Sequence, residues 1–141
     1  MQVYFEDVHL GDELGPLVKE LNKEEVIAFA RLAHLAGRFI NDDEARKEGL
    51  GGMIVSSWQS MAYLSQLLTN WMGPEGFLSK FDVYFRRIVE PEDHLECRAI
   101  VTDTMVKAEK HVVFLDIYIE NQRGERPLQG AAEVFLPSRS G

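Results

Sequence analysis

Hydrophobic residues change their period once along this chain, and the change divides it into a helical part and a strand part. Val26, Phe29, Ala30, Ala33 and Ala36 recur at steps of three and four, which predicts a helix with one apolar face. Asn22-Lys-Glu-Glu25 just before it has the form of a capping box. The Asn22 side chain would accept from the Glu25 N–H while Glu25 reaches back. This helix is expected to end by Gly37. From Arg38 to Leu50 the chain is polar and reads as irregular, with Asn41-Asp-Asp-Glu44 at its centre. Upstream, Gly11-Asp12 and Gly15-Pro16 mark turns around an early strand.

From Gly49 to Pro74 no side chain is charged. Ile54, Trp58, Met61, Ala62, Ser65 and Leu68 fall at helical spacing within it, and the other faces are nearly as uncharged. A membrane span would need a continuous apolar run, and this stretch is interrupted by Ser56, Ser57, Gln59, Ser60, Gln66 and Asn70. A helix of this kind is expected to be buried inside a soluble protein. Trp58, Met61, Trp71 and Met72 read as core, with the wall of an apolar cavity as the other use of such a stripe.

After Gly76 the period becomes two. Phe81, Val83 and Phe85 alternate with polar neighbours, as do Leu95, Cys97, Ala99 and Val101. Val113, Leu115, Ile117 and Ile119 follow, then Leu128, Gly130, Ala132, Val134 and Leu136. Asn121-Gln-Arg-Gly124-Glu is a hairpin loop in which Gly124 takes positive φ. The order is one strand, two helices and four strands. It predicts an α+β fold in a single domain, 1–141, with an antiparallel sheet wrapped around a long central helix. The open edge of such a sheet is economically covered by another subunit, so a dimer is expected.

Charge and cysteine content narrow the chemistry. A net charge of −8 argues against nucleic acid, whose binding rests on Lys and Arg neutralising phosphates. It leaves room for an anionic ligand held by a local basic patch. Cys97 is the only cysteine, so neither an intrachain disulfide nor a multi-cysteine zinc site can form. The opening residues lack the basic and apolar regions of a signal peptide. A cytoplasmic protein without metal or redox cofactor is the expectation, with no membrane and no nucleic-acid partner. No phosphate-binding glycine loop or nucleophile elbow occurs.

Several stretches, taken in order, resemble the MaoC-like (R)-specific enoyl-CoA hydratase and acyl dehydratase family of hot-dog proteins. These are Tyr4-Phe-Glu-Asp7 with Gly11-Asp12-Glu13, Phe29-Ala-Arg-Leu32 and Glu44-Ala-Arg-Lys-Glu-Gly-Leu50. Arg86-Arg-Ile-Val-Glu-Pro-Glu-Asp93, Asn121-Gln-Arg-Gly-Glu125 and Gly130-Ala-Ala-Glu-Val134 complete the set. The resemblance implies a hot-dog fold and a substrate that is an acyl thioester of coenzyme A or of acyl carrier protein. It implies hydration of an enoyl thioester or the reverse dehydration, catalysed by an Asp and a His in the segment after the first helix. A carboxylate and an imidazole sharing one water suit such acid–base work.

Here the sequence departs from the family. Aligned without a gap from Phe29, the Asp and His positions fall on Leu35 and Ile40. Aligned backward from Glu44, the His position falls on Asn41. Three readings stay open. The chain is a non-catalytic subunit beside a catalytic hot-dog partner, as a homodimer or a heteromer. Alternatively His34, with Asp42 or Asp43 orienting it or the water, replaces the dyad. Or the fold serves as an acyl-CoA thioesterase or a non-enzymatic acyl-CoA-binding protein. The resemblance also places the thioester-binding backbone N–H at Ser57, where the family has a glycine. Arg86 and Arg87 become candidates for coenzyme A phosphates, whose geometry a guanidinium fork fits. Ile88 and Glu92 stand where the family has Pro and Gly. The plainer readings are a helix-terminal His34, a solvated Asn41–Glu44 turn, Ser56 or Ser57 as a helix cap, and a solvated Arg86–Arg87 strand face.

Overall fold

The computed structural model describes residues 1–140. Five strands form one antiparallel sheet in the spatial order β1–β3–β4–β5–β2. The strands are β1 (Glu13–Glu20), β2 (Phe77–Phe85), β3 (His94–Lys107), β4 (Lys110–Asn121) and β5 (Leu128–Phe135). Three helices precede β2: α1 (Lys23–Leu32), α2 (Asp42–Lys47) and α3 (Ser57–Met72). One face of the sheet wraps α3.

The period-two residues make that face. Leu95, Cys97, Ala99 and Val101 on β3, and Val113, Leu115, Ile117 and Ile119 on β4, are all buried. Leu128, Ala132, Val134 and Leu136 continue the layer. Against it α3 places Leu64, Leu67, Leu68 and Met72. Removing one such side chain from water contributes about 1.5–3 kcal/mol, so this layer dominates the stability. Gly124 has a φ of 76° in the loop between β4 and β5, as its position in the hairpin requires. The β3–β4 turn instead puts Ala108 and Glu109 at positive φ, without a glycine. Each end of α3 receives one side-chain hydrogen bond. Ser56 Oγ accepts from the Gln59 N–H at 3.2 Å, and at the far end Gln2 Nε2 donates to the Met72 carbonyl at 2.7 Å.

Four details differ from the sequence expectation. The Asn22 cap forms, its side chain accepting from Glu25 N–H at 2.9 Å, but Glu25 makes no bond back. Gly15-Pro16 does not turn the chain: it lies inside β1, where the pairing with β3 slips between Leu14 and Leu17. The polar stretch after α1 is not irregular. Asn41 caps α2, accepting from the Glu44 N–H at 3.0 Å, with Asp42, Asp43 and Glu44 at its positive end and Arg46 and Lys47 at its negative end. Finally, the buried face of α3 runs through Gln59, Ser60, Leu64 and Leu67, while Trp58 is 57% exposed and Ala62 is exposed. Ile54 lies ahead of the helix. No helix among the described residues is long and apolar enough to cross a membrane.

β1 and β2 are the two edges of the sheet. Phe77, Tyr84 and Phe85 on β2 are exposed, and so is Ile88 just beyond it.

Candidate functional site

The positive end of α3 opens into a cavity. Ser56 satisfies one of the first N–H groups of the helix, but those of Ser57 and Trp58 have no partner among the described residues. Unpaired N–H groups at a helix start carry partial positive charge and favour an oxygen with developing negative charge. A cavity of about 360 Å³ begins at this point, lined by Ser57, Ser60, Arg38, Phe39, Phe85 and Arg87 with aliphatic residues between them. None of its lining residues is an Asp, a Glu or a His.

Three of the segments that form its walls are tied together. The Ile54 N–H donates to the Arg38 carbonyl at 3.0 Å, and the next N–H, that of Val55, donates to the Val89 carbonyl at 2.9 Å. Val89 leads into a turn organised by Asp93, which is buried. Its carboxylate accepts from the Glu90 N–H at 2.9 Å, from Gln122 Nε2 at 2.8 Å and from Arg123 Nη1 at 3.3 Å. A buried carboxylate with this many donors is satisfied, and here it fixes the turn.

A second cavity, of about 410 Å³, adjoins the first and shares Ile54 and Ile88 with it. Its polar lining includes Lys23, Asp42, Arg46, Glu90 and Glu92. Asp42 Oδ1 accepts from the Met53 N–H, and Asp42 Oδ2 accepts from Lys23 Nζ, both at 2.9 Å. The Met53 hydrogen bond, followed by that of Lys23, holds this carboxyl below the usual aspartate range. An Asp so engaged is a poor proton acceptor and a good strut.

The candidates from the sequence therefore part company. Asp42 lines the second cavity and Ser57 and Arg87 the first, so these three line two neighbouring cavities that meet at Ile54 and Ile88. Asn41 is committed to capping α2. His34 follows α1 at a φ of 59°, exposed, with its N–H on the Arg31 carbonyl, and lines neither cavity. Asp43 pairs with Arg46 at 3.0 Å on the outer side of α2. Arg86 is exposed, without an ion pair among the described residues, whereas Arg87 lies 3.5 Å from Glu125. Sequence reasoning missed Arg38, Phe39, Ser60 and Phe85. Arg38 carries the only local hint, since it follows Gly37 at the end of the helical pattern; the others have none.

Searches for relatives bear on the architecture. No protein-family model and no curated protein matches the chain. Solved structures do. The MaoC-like dehydratase from Rhodospirillum rubrum superposes with a TM-score of 0.85 at 21% identity, over 97% of this chain and 98% of that one. The fold is that of the MaoC-like dehydratases. The R-hydratase PhaJ1 from Pseudomonas aeruginosa also reaches 0.85, at 18% identity, over 98% of this chain and 88% of that one. A chain of the ChsH1–ChsH2 complex from Mycobacterium tuberculosis reaches 0.80 at 14% identity, over 92% and 98% of the two chains. This MaoC-like fold is the hot-dog expected from the sequence. At these identities the likeness is one of architecture.

Proposed function

We propose that this chain is a thioester-binding hot-dog subunit of the hydratase and dehydratase class, working with a second hot-dog subunit that supplies the acid–base group. One observation carries this reading. The cavity at the start of α3 offers unpaired N–H groups to an oxyanion, yet its lining holds no carboxylate and no imidazole. In hydration, the oxygen of water bonds to C3 of the enoyl thioester and a proton is delivered to C2. Negative charge gathers on the thioester oxygen in between. The Ser57 N–H would hold that oxygen. In either alignment with the family, the residues that would stand at the Asp and His positions, Leu35 with Ile40 or Asn41 in place of the His, could not move the proton.

The free β2 edge supports a partner on that side. Phe85 belongs both to this edge and to the cavity lining, and Trp58, which follows Ser57 at the start of α3, is exposed. A subunit docked along β2 would roof the opening and bring its own groups to it. That one chain with this fold comes from a two-component complex agrees with a heteromer; a second copy of this chain is the other arrangement. Arg86, whose guanidinium is unpaired, and Arg87 would meet the phosphates of coenzyme A. The place of action would be the cytoplasm.

The test uses the purified chain with crotonyl-CoA and a longer enoyl-CoA, following enoyl absorbance and free thiol together. Alone, the chain is expected to bind the thioester and to be silent in both signals. A hot-dog partner restores loss of enoyl absorbance. Hydration by the isolated chain that falls at least about tenfold in His34→Ala would overturn the proposal in favour of a substitute dyad. Thiol release would overturn it in favour of a thioesterase.

A further inference from the structure

Among the described residues two buried side-chain atoms lack any hydrogen-bond partner, Gln59 Oε1 and Ser60 Oγ. They differ in placement. Gln59 still donates to Tyr63 Oη at 2.6 Å and does not line the cavity. Ser60 lines the cavity, is 1% exposed and makes no side-chain bond at all. A serine inside a helix usually settles its hydroxyl on the carbonyl one turn back. Here the Ser56 carbonyl takes only the backbone N–H of Ser60, at 3.3 Å. A buried hydroxyl left unpaired is a cost to the folded chain, and a ligand atom can relieve it.

Ser57 and Ser60 stand three residues apart on α3 and both line the cavity, a spacing that sets their Cβ atoms about 5–6 Å apart. A ligand oxygen held at the Ser57 N–H would therefore have its next polar atom, a short step further in, beside the Ser60 hydroxyl. Apart from Arg38 and Arg87, whose guanidinium groups pair with Glu48 and Glu125, the rest of the lining is apolar and offers an oxygen nothing. From this we infer that Ser60 is a specificity-determining residue that hydrogen-bonds an oxygen on C3 of the acyl chain, so that the chain prefers 3-hydroxyacyl thioesters to saturated ones. The inference rests on the acyl-thioester reading above and adds to it the residue that selects among acyl groups. Ser60 binds and moves no proton.

The experiment is isothermal titration of the full chain and of Ser60→Ala with 3-hydroxyhexanoyl-CoA and with hexanoyl-CoA, alongside the Tm of each protein. The wild-type chain is expected to bind the hydroxylated thioester about 3–10-fold more tightly, the range of one hydrogen bond. Ser60→Ala should bind both alike, with its hexanoyl-CoA affinity unchanged. Its Tm should equal or exceed that of wild type, because an unpaired buried hydroxyl has been removed. Equal affinity of the wild-type chain for the two thioesters, or a preference that survives in Ser60→Ala, overturns the inference and leaves the acyl-thioester reading standing. A lower Tm in Ser60→Ala also overturns it, by showing that the hydroxyl serves the fold. Failure of the wild-type chain to bind either thioester removes both.

Discussion

Asp42 Oδ1 accepts the backbone N–H of Met53 at 2.9 Å, and this bond fastens α2 to the segment that enters α3. Lys23 Nζ, on the other carboxylate oxygen, adds the start of α1 to the same knot. A residue at the position of a proton-transfer candidate is thus occupied in holding three segments together.

Removal of this carboxylate should cost stability before it costs binding. Asp42→Ala is expected to lower the Tm by a few degrees. Asp42→Asn should recover most of it, because an amide oxygen still accepts from Met53. The folded carboxyl titrates below its ordinary value of 3.8. Its contribution is therefore full above that value and is lost as pH falls through the lower, folded one. The acid limb of a thermal-stability profile should be shallower in Asp42→Asn than in wild type. An unchanged acid limb would show the carboxylate to be idle.

At the far edge of the sheet His94 lies between two carboxylates. Its Nδ1 meets Glu20 on β1, and its Nε2 lies 3.2 Å from Glu96, which also holds Arg98. Glu20 and then Glu96 raise its pKa above the ordinary 6.5. The charged imidazole stabilises the pairing of β1 with β3. That stabilisation is complete below pH 6.5 and fades as pH rises through the raised, folded value. In His94→Gln the decline of stability above neutral pH should flatten, which denaturant titrations at several pH values would measure. A parallel decline in both proteins would assign it to other groups.

A third expectation concerns the edge strand beside the cavity. β2 is paired only with β5, and where Val83 meets Gly130 the backbones come so close that a Cβ on Gly130 would stand 1.9 Å from the Asp82 carbonyl oxygen. Backbone cannot yield as the tip of a side chain can. Gly130→Ala should cost about 3 kcal/mol or more, because β2 must separate from β5 and carry Phe81 and Val83 off the core. Urea denaturation of Gly130→Ala, with Ala131→Gly as its neighbouring control, would check this. Equal midpoints for Gly130→Ala and wild type would mean that the strands have slack.

The sheet was legible in the sequence because its alternation is a direct record of burial. Leu95 to Val101 and Val113 to Ile119 have one face to satisfy, and every second residue answers to it. On α3 the record is blurred. With no charge between Gly49 and Pro74, polarity does not say which side faces outward, and the assignment that put Trp58 inside took size for burial. α2 escaped because it buries only Ala45 and so has no period to display. Its caps and charges were present in Asn41-Asp-Asp-Glu44 but read equally well as a turn. The cavity was legible at one point, Ser57, through the resemblance. Arg38, Ser60 and Phe85 come to it from three separate segments by tertiary contact, and no local pattern records that meeting.

Consecutive peptide groups, those of Ile54 and Val55, reach in different directions, one to Arg38 and the other to Val89. A single stiff linkage therefore rivets the loop after α1, the entry to α3 and the turn before β3. None of these three segments can swing away from the cavity by itself without breaking one of those two bonds or dragging the others along. Room made for a bulky guest at any one of them therefore draws on the other two, so that this side of the cavity yields as a unit rather than one side chain at a time.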